Sequence, residues 1–237
     1  MKIKLGINID HVATLREARG GFDPDPAAAA LVCRQAGADM IVAHLRRDGR
    51  HIQEADVFKL CALKGETHLE ISADPEIVAV ARKARPGSVC LVPEGPAELT
   101  TRGGLNLKAS ARAVGRAVDR LKAVGIGVGL FIEPEAANVR LAKFLGADTV
   151  ELCTAAYARA RGKGRGAAEL ERLELAGYLA DEMGLGLHAG HGLDYHNVRP
   201  VARMARLKAV NIGFAVVSRA MFVGLKSAVS EMKRLIS

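Results

Sequence analysis

Eight times along the 237 residues a short apolar run gives way to sequence with helical start and stop signals, and this alternation narrows the fold more than any other feature. The first run, Lys2 to Asp10, has Ile3, Leu5, Ile7 and Ile9 apolar. Further strands are predicted at Met40 to Ala43, Thr67 to Ile71, Ser88 to Val92, Gly127 to Ile132, Thr149 to Leu152, Leu185 to Ala189 and Ala209 to Ile212. Helices between them are marked by Asp25-Pro26 and Asp74-Pro75, each an N-cap acid followed by a proline suited to the first helical position. Gly37, Gly65, Gly125, Gly146 and Gly184 supply stops. Ser218 to Ile236 reads as one interrupted helix or two short ones. Two junctions echo each other, Ala36-Gly37-Ala38-Asp39 and Leu145-Gly146-Ala147-Asp148, both passing directly from helix to strand. Alternating strands and helices call for a parallel sheet covered by helices. Eight units, the length, and no GxGxxG after the first strand favour closure over an open doubly wound sheet. The expectation is a single α/β domain over residues 1–237, a TIM (β/α)8 barrel with extra helices.

Such a barrel carries chemistry at the C-terminal ends of its strands. Six of the seven histidines, His11, His44, His51, His188, His191 and His196, are read at a strand's end or in the loop after it; His68 falls near the start of the third strand. The first strand ends in Asn8, Asp10 and His11, polar groups that each need a partner if buried. Glu70 and Glu151 stand inside apolar strands, where a carboxylate must face a polar cavity or be paired, and where its pKa is perturbed. Two anion sites are expected. One combines His44, Arg46, Arg50 and His51, with arginine offering paired donors to phosphate oxygens. The other uses the glycine turns Ala189-Gly190-His191-Gly192 and Asn211-Ile212-Gly213-Phe214, the usual phosphate cradle of these barrels. Pro93 to Asn106, rich in Gly, Pro and Thr, is expected to be a long loop able to act as a lid.

Composition excludes several classes. A formal charge of +8, from 34 Lys and Arg against 26 Asp and Glu, suits anionic ligands. Nucleic acid is the weaker fit, because aromatics are only 4%, Trp is absent and basic residues are dispersed. The local cluster Arg159, Arg161, Lys163 and Arg165, interleaved with glycines, reads as a solvated loop. The four cysteines are widely spaced with no CxxC pair, so neither a disulfide framework nor a thiolate metal site is expected. No signal-peptide pattern and no membrane-length apolar run is present, and the expected location is the cytoplasm.

Several multi-residue stretches, in order, resemble the pyridoxine 5'-phosphate synthase family: Asn8-Ile9-Asp10-His11 with Thr14-Leu15-Arg16 and Ala18-Arg19-Gly20; His44-Leu45-Arg46 with Arg50-His51-Ile52; Leu69-Glu70; Leu91-Val92-Pro93-Glu94; Thr100-Thr101; Ala189-Gly190-His191-Gly192-Leu193 with Tyr195-His196-Asn197; and Asn211-Ile212-Gly213. The resemblance runs from Gly6 to Met232-Lys233-Arg234-Leu235. It implies a homo-oligomeric barrel, an octamer in known members, with no metal or other cofactor. It implies condensation of 1-deoxy-D-xylulose 5-phosphate with 3-amino-2-oxopropyl phosphate, releasing phosphate and water. By position it implies His44 and Glu70 as proton acceptors, His191 as proton donor and Glu151 stabilising charge. Asp10, His11, Arg46, His51 and Thr100 would hold the deoxyxylulose phosphate; Asn8, Arg19, Gly192 and Gly213 would hold the aminoketone phosphate. The chain departs from the family pattern at Phe214, which replaces a His beside the phosphate glycine, at Cys153-Thr154-Ala155, at Gly95-Pro96 and at His68, which replaces an Asn. The alternatives are a paralogue acting on another sugar phosphate, a metal-dependent epimerase or hydrolase, and a basic RNA-binding protein. The first strand lacks an HxH pair and no set of three or four metal ligands emerges from the sequence.

Overall fold

The computed structural model describes residues 2–95, 103–160 and 162–237, with Lys163 described by its backbone alone. Eight parallel strands close in sequence order into a barrel: β1 (Lys4–Asn8), β2 (Met40–Leu45), β3 (Glu66–Ile71), β4 (Ser88–Leu91), β5 (Gly127–Ile132), β6 (Thr149–Cys153), β7 (Gly186–Gly190) and β8 (Ala209–Ile212). Around them lie α1 (Asp10–Arg19), α2 (Pro26–Gln35), α3 (Glu54–Ala62), α4 (Pro75–Ala84), α5 (Leu107–Lys122), α6 (Ala136–Phe144), α7 (Ala155–Arg159), α8 (Lys163–Glu182), α9 (Val198–Ala202), α10 (Phe214–Val223) and α11 (Leu225–Ile236). No described helix is long and apolar enough to cross a membrane. All four cysteines are free.

The two-residue side-chain period of a strand divides each apolar run between two environments. Leu5, Ile7, Ile41, Ala43, Leu69, Ile71, Leu130 and Leu152 face outward and join the main core between sheet and helices. The inward positions are different in character. Apolar packing inside the cylinder is limited to two small groups, Met40, Val42 and Ala209 in one, and Cys90, Val92, Phe131, Cys153 and Ala155 in the other. The remaining inward positions are glycine or polar.

The Asp-Pro signals act as expected. Asp25 accepts from Ala27 N at 3.2 Å and Asp74 from Glu76 N at 2.8 Å, with proline opening α2 and α4. The echoed junctions are equivalent in space. Asp39 and Leu5 exchange two bonds, Leu5 N to Asp39 Oδ2 at 2.7 Å and Asp39 N to Leu5 O at 2.9 Å. Asp148 and Val128 repeat both, each at 2.8 Å. Lys233 of α11 and Lys122 of α5 pair with the two aspartates. The β1–β2 and β5–β6 junctions thus share one arrangement.

Three elements differ from expectation. Residues 10–19 form a helix, although only Val12 and Ala13 offer it apolar burial. Its anchor is ionic: Arg16 forms a two-pronged pair with Asp56 of α3, at 2.8 and 2.7 Å, and also donates to His51 O at 3.1 Å. The short α7 was not expected. Lys163 and Arg165 open α8 instead of lying in a loop, while Arg161 falls outside the described residues. The final segment takes one of its two expected forms, two helices separated at Gly224, whose φ of +79° is easily reached only by glycine.

Both partners of the Arg16–Asp56 pair are nearly sealed from solvent, at 10% and 4% side-chain exposure. Removing one member strands a buried charge and costs about 3–5 kcal/mol. Asp56→Ala is therefore expected to lower stability in urea unfolding by about that amount, whereas the paired Asp56→Leu, Arg16→Met variant loses much less. Equal losses in the two variants would show that the single-mutant cost is not the orphaned charge.

Candidate active site

A cavity of about 630 Å³ opens among the strand ends and the loops that follow them. At the end of β1, Asn8 folds over Asp10: its Nδ2 donates to Asp10 Oδ2 and its Oδ1 accepts from Asp10 N, both at 2.9 Å. The other Asp10 oxygen accepts from His44 N at 2.7 Å, tying the first strand's end to the second. His11 follows and packs edge-on against Phe214, with centroids 5.3 Å apart.

His44, near the end of β2, stands between two carboxylates. Its Nε2 lies 3.2 Å from Glu94 Oε1 and its Nδ1 lies 4.0 Å from Glu70 Oε2. His51 lies beside it, with ring centroids 5.9 Å apart. Ile52 N–H donates to His51 Nδ1 at 2.8 Å, so in the neutral ring the proton sits on Nε2. Burial lowers the pKa of His51, partly offset by Asp10. Arg46 and Arg50 converge on Asp48, at 3.0 and 2.6 Å. The hydrogen bond from Arg46, reinforced by Arg50, holds the Asp48 carboxyl well below the usual range against its own burial. Two guanidiniums thus gather at one carboxylate on this edge of the cavity.

The floor of the cavity carries two more carboxylates. Burial raises the pKa of Glu70 well above its ordinary value, and the charges of Glu151 and Asp10 push the same way. Glu70 nevertheless keeps 17% side-chain exposure, enough to exchange a proton with the cavity. Glu151 is pushed up to about 7 by burial, against the pull of a 2.6 Å hydrogen bond from Asn211 Nδ2. Room for this carboxylate comes from glycine: a Cβ at Gly190 would lie 2.2 Å from Glu151 Oε1. Likewise a Cβ at Gly6 would strike Asn211 Oδ1 at 2.2 Å.

The far side is built from backbone. His191 holds φ at +78° and Gly192 at +86°, and two successive left-handed residues turn the loop sharply after β7. A non-glycine residue in this region is strained, and such strain gathers at functional sites. Thr154 restrains the turn, its backbone N–H and hydroxyl meeting Gly190 O at 2.8 Å, with the hydroxyl also 2.7 Å from His191 O. Burial lowers the pKa of His191, and Arg159 adds to that effect. After β8, Gly213 to Ala215 line the cavity as α10 begins, and Gly213 O accepts the first helical bonds from Val216 and Val217. The amides ahead of those bonds have no intrahelical acceptor and form an anion-binding start. Among the described residues, two triads have donor atoms close enough for a metal ion, Asp10, His44 and His51 at this cavity, and His68, Glu151 and His188.

Most of the expected site residues therefore meet: Asn8, Asp10, His11, His44, Arg46, His51, Glu70, Glu151, His191, Gly192, Gly213 and Phe214 all line one cavity. Arg19 does not, standing exposed at the end of α1 with its side chain outside the lining. Thr100 and most of the expected lid lie outside the described residues. His188, read as a strand-end residue, is instead the middle residue of β7 and meets His68 inside the cylinder. The sequence reading gave no role to Glu94, Thr154 or Asn211. Glu94 was recoverable only as part of the Val92-Pro93-Glu94 strand-end motif, whereas Thr154 acts on backbone atoms distant in sequence.

Fold and site together define a class: a (β/α)8 barrel enzyme with acid–base groups set between two anion-binding edges. Its relatives make the class specific. The family model described as "Pyridoxal phosphate biosynthesis protein PdxJ" matches residues 5–237. The pyridoxine 5'-phosphate synthase of Elusimicrobium minutum is 50% identical, covering 100% of this chain and 98% of that protein. The enzyme of the same name from Geobacter sulfurreducens is 47% identical, with 98% of each chain covered. Among solved structures, KGPDC from Streptococcus mutans is similar at a TM-score of 0.68 and 12% identity, covering 100% of this chain and 98% of that one, a likeness of fold. The chain belongs to the PdxJ family of pyridoxal phosphate biosynthesis proteins.

Two predictions test this geometry. Between roughly pH 4.5 and 7 the folded chain holds a proton on Glu151 that the unfolded chain has released, so the contribution of Glu151 to stability falls as pH rises through that window. Glu70 contributes in the same direction, while the buried His51, His68, His188 and His191, held below their ordinary range, act in the opposite one. The check is therefore a difference: the stability of the parent relative to Glu151→Gln, from urea unfolding, should fall as pH rises through the window, and a difference independent of pH would mean that the carboxyl titrates normally. His191→Gly should retain stability, or gain up to about 1 kcal/mol from relief of left-handed strain, while turnover drops at least ~100-fold. A large loss of stability would show that the His191 ring is a packing residue.

Proposed function

We propose that the cavity condenses 1-deoxy-D-xylulose 5-phosphate with 3-amino-2-oxopropyl phosphate to pyridoxine 5'-phosphate, releasing phosphate and water. The observation that carries this reading is the placement of ionisable groups between two unlike anion-binding edges, a layout suited to two phosphorylated substrates. Arg46, His51, Asp10 and His11 hold the deoxyxylulose phosphate, with Arg50 adding charge and Thr100 assigned to the same substrate by family resemblance. Asn8, Gly192, Gly213 and the start of α10 hold the aminoketone phosphate, with Arg19 assigned there by the same resemblance.

Joining an amine to a ketone, losing phosphate and closing a ring require repeated proton transfers near neutral pH. Glu70 suits them because its raised pKa lets it accept a proton and return it. His44 lies within reach of both Glu70 and Glu94, so a proton accepted at one imidazole nitrogen is balanced by a carboxylate at the other. His191 is the donor: burial makes its imidazolium a stronger acid than usual, ready to protonate a leaving oxygen. Glu151, held by Asn211, stabilises positive charge developing on the imine nitrogen.

The active species is proposed to be a cytoplasmic homo-oligomer, an octamer by family resemblance. In its support, Phe22, Phe144, Met221 and Phe222 are large apolar side chains left at least two-thirds exposed in the single chain.

Purified protein supplied with both phosphates should form a pyridine product detectable by absorbance and mass spectrometry. Glu70→Gln should bind both substrates yet lose at least ~100-fold in kcat. Near-normal turnover in that variant would remove Glu70 from the chemistry. Absence of product in the parent protein, with tight binding of a different sugar phosphate, would replace the proposed reaction.

A further inference from the structure

The cylinder holds a second group of ionisable side chains that the proposed chemistry does not use as a unit. His68 of β3 and His188 of β7 come from opposite walls and meet across the axis, ring centroids 5.8 Å apart. Glu151 pairs in register with His188 on the adjacent strand, and one donor atom from each of the three residues lies within 4.8 Å of the others.

A barrel interior closed to water is a costly place for imidazole nitrogens without partners. Ser88 Oγ engages His68 Nδ1 at 2.7 Å and fixes the ring. The remaining nitrogen, Nε2, is fully buried with no hydrogen-bond partner, in a side chain of a residue only 2% exposed. Asn211 in turn fixes Glu151. Each of these two groups is thus held from behind by a second residue, as ligands of bound metals commonly are. The packing that buries the two histidines also keeps them neutral, the form that coordinates a cation. His188 retains partial exposure, and the charges of Glu66, Lys4 and Lys208 act on it from the strand-start side of the barrel.

We propose that His68, His188 and Glu151 form a site for a divalent transition-metal ion of the zinc class, lying on the barrel axis beneath the catalytic cavity. Two imidazoles and one carboxylate are a common ligand set for zinc, with the fourth position left to water. The ion is not needed for the proposed reaction. It draws on the same Glu151 carboxylate that lines the catalytic cavity, so occupancy withdraws that group from the substrates.

The test uses tag-free, chelator-treated protein titrated with Zn²⁺ by calorimetry and with Co²⁺ by visible absorption. One ion per chain is expected, with cobalt bands of a four-coordinate nitrogen and oxygen site. His68→Asn and His188→Asn should each weaken binding at least about tenfold, since loss of a mere supporting partner already costs that much. His51→Asn, which alters the other candidate triad, should leave binding unchanged. Circular dichroism and Tm of the metal-free variants establish that they fold, and His68→Gln and His188→Gln serve where an Asn variant does not. No stoichiometric binding, or binding unaltered in both histidine variants, overturns the proposal. So does loss of binding in His51→Asn alone, which would put the ion in the catalytic cavity.

Discussion

Closure of eight parallel strands forces every second strand residue into a cylinder with little free volume, and the site follows from that constraint. Charged groups in such a space need either a partner or a neighbour that leaves room. Here glycine leaves the room: Gly190 beside Glu151 and Gly6 beside Asn211 each lie where a single methyl group would collide. The resulting burial raises the Glu70 and Glu151 carboxyls and lowers His51 and His191. The chemistry is thus a product of packing. The acid–base character of each residue comes from where the strand period puts it and from how little water reaches it.

Much of this was legible because it is local. Asp-Pro caps depend on neighbouring residues, and the strand-helix period depends on runs of about ten, so both could be read directly from the chain. The Asp39 and Asp148 junctions were visible as an echo, and the structure explains it as the same two-bond clasp built at both junctions. What could not be read depends on partners distant in sequence. The helix at residues 10–19 has few apolar residues and is anchored by Arg16 to Asp56, forty positions away. His188 was misplaced because its strand begins one residue later than its hydrophobic pattern implies, which puts it at the centre of the strand. The basic stretch near Arg159 was read from composition alone, and composition does not register that α8 can begin among glycines.

Of the described non-glycine residues with positive φ, Arg85, His191 and Arg206, only His191 lines the cavity. His191 adopts a left-handed conformation between two glycines, a cost of about 1 kcal/mol or more. The neighbouring Thr154 offsets it by bonding both Gly190 O and His191 O, so a turn that a loop would not hold unaided is over-determined by the strand beside it. This explains how a threonine with no exposure can matter to a site that it does not line.

The two edges proposed to hold phosphate differ in physical kind, which bears on how two similar ligands would be told apart. Around Arg46 and Arg50 the donors are guanidinium side chains gathered on Asp48. Around Gly213 they are fixed backbone amides at the start of α10, short in range and strict in direction. Phe214 sharpens the contrast. Its phenyl ring packs on His11 and brings no donor, so an anion at that edge depends on the backbone and on the tight glycine approach, a Cβ at Gly213 falling 3.0 Å from Asn8 Cβ.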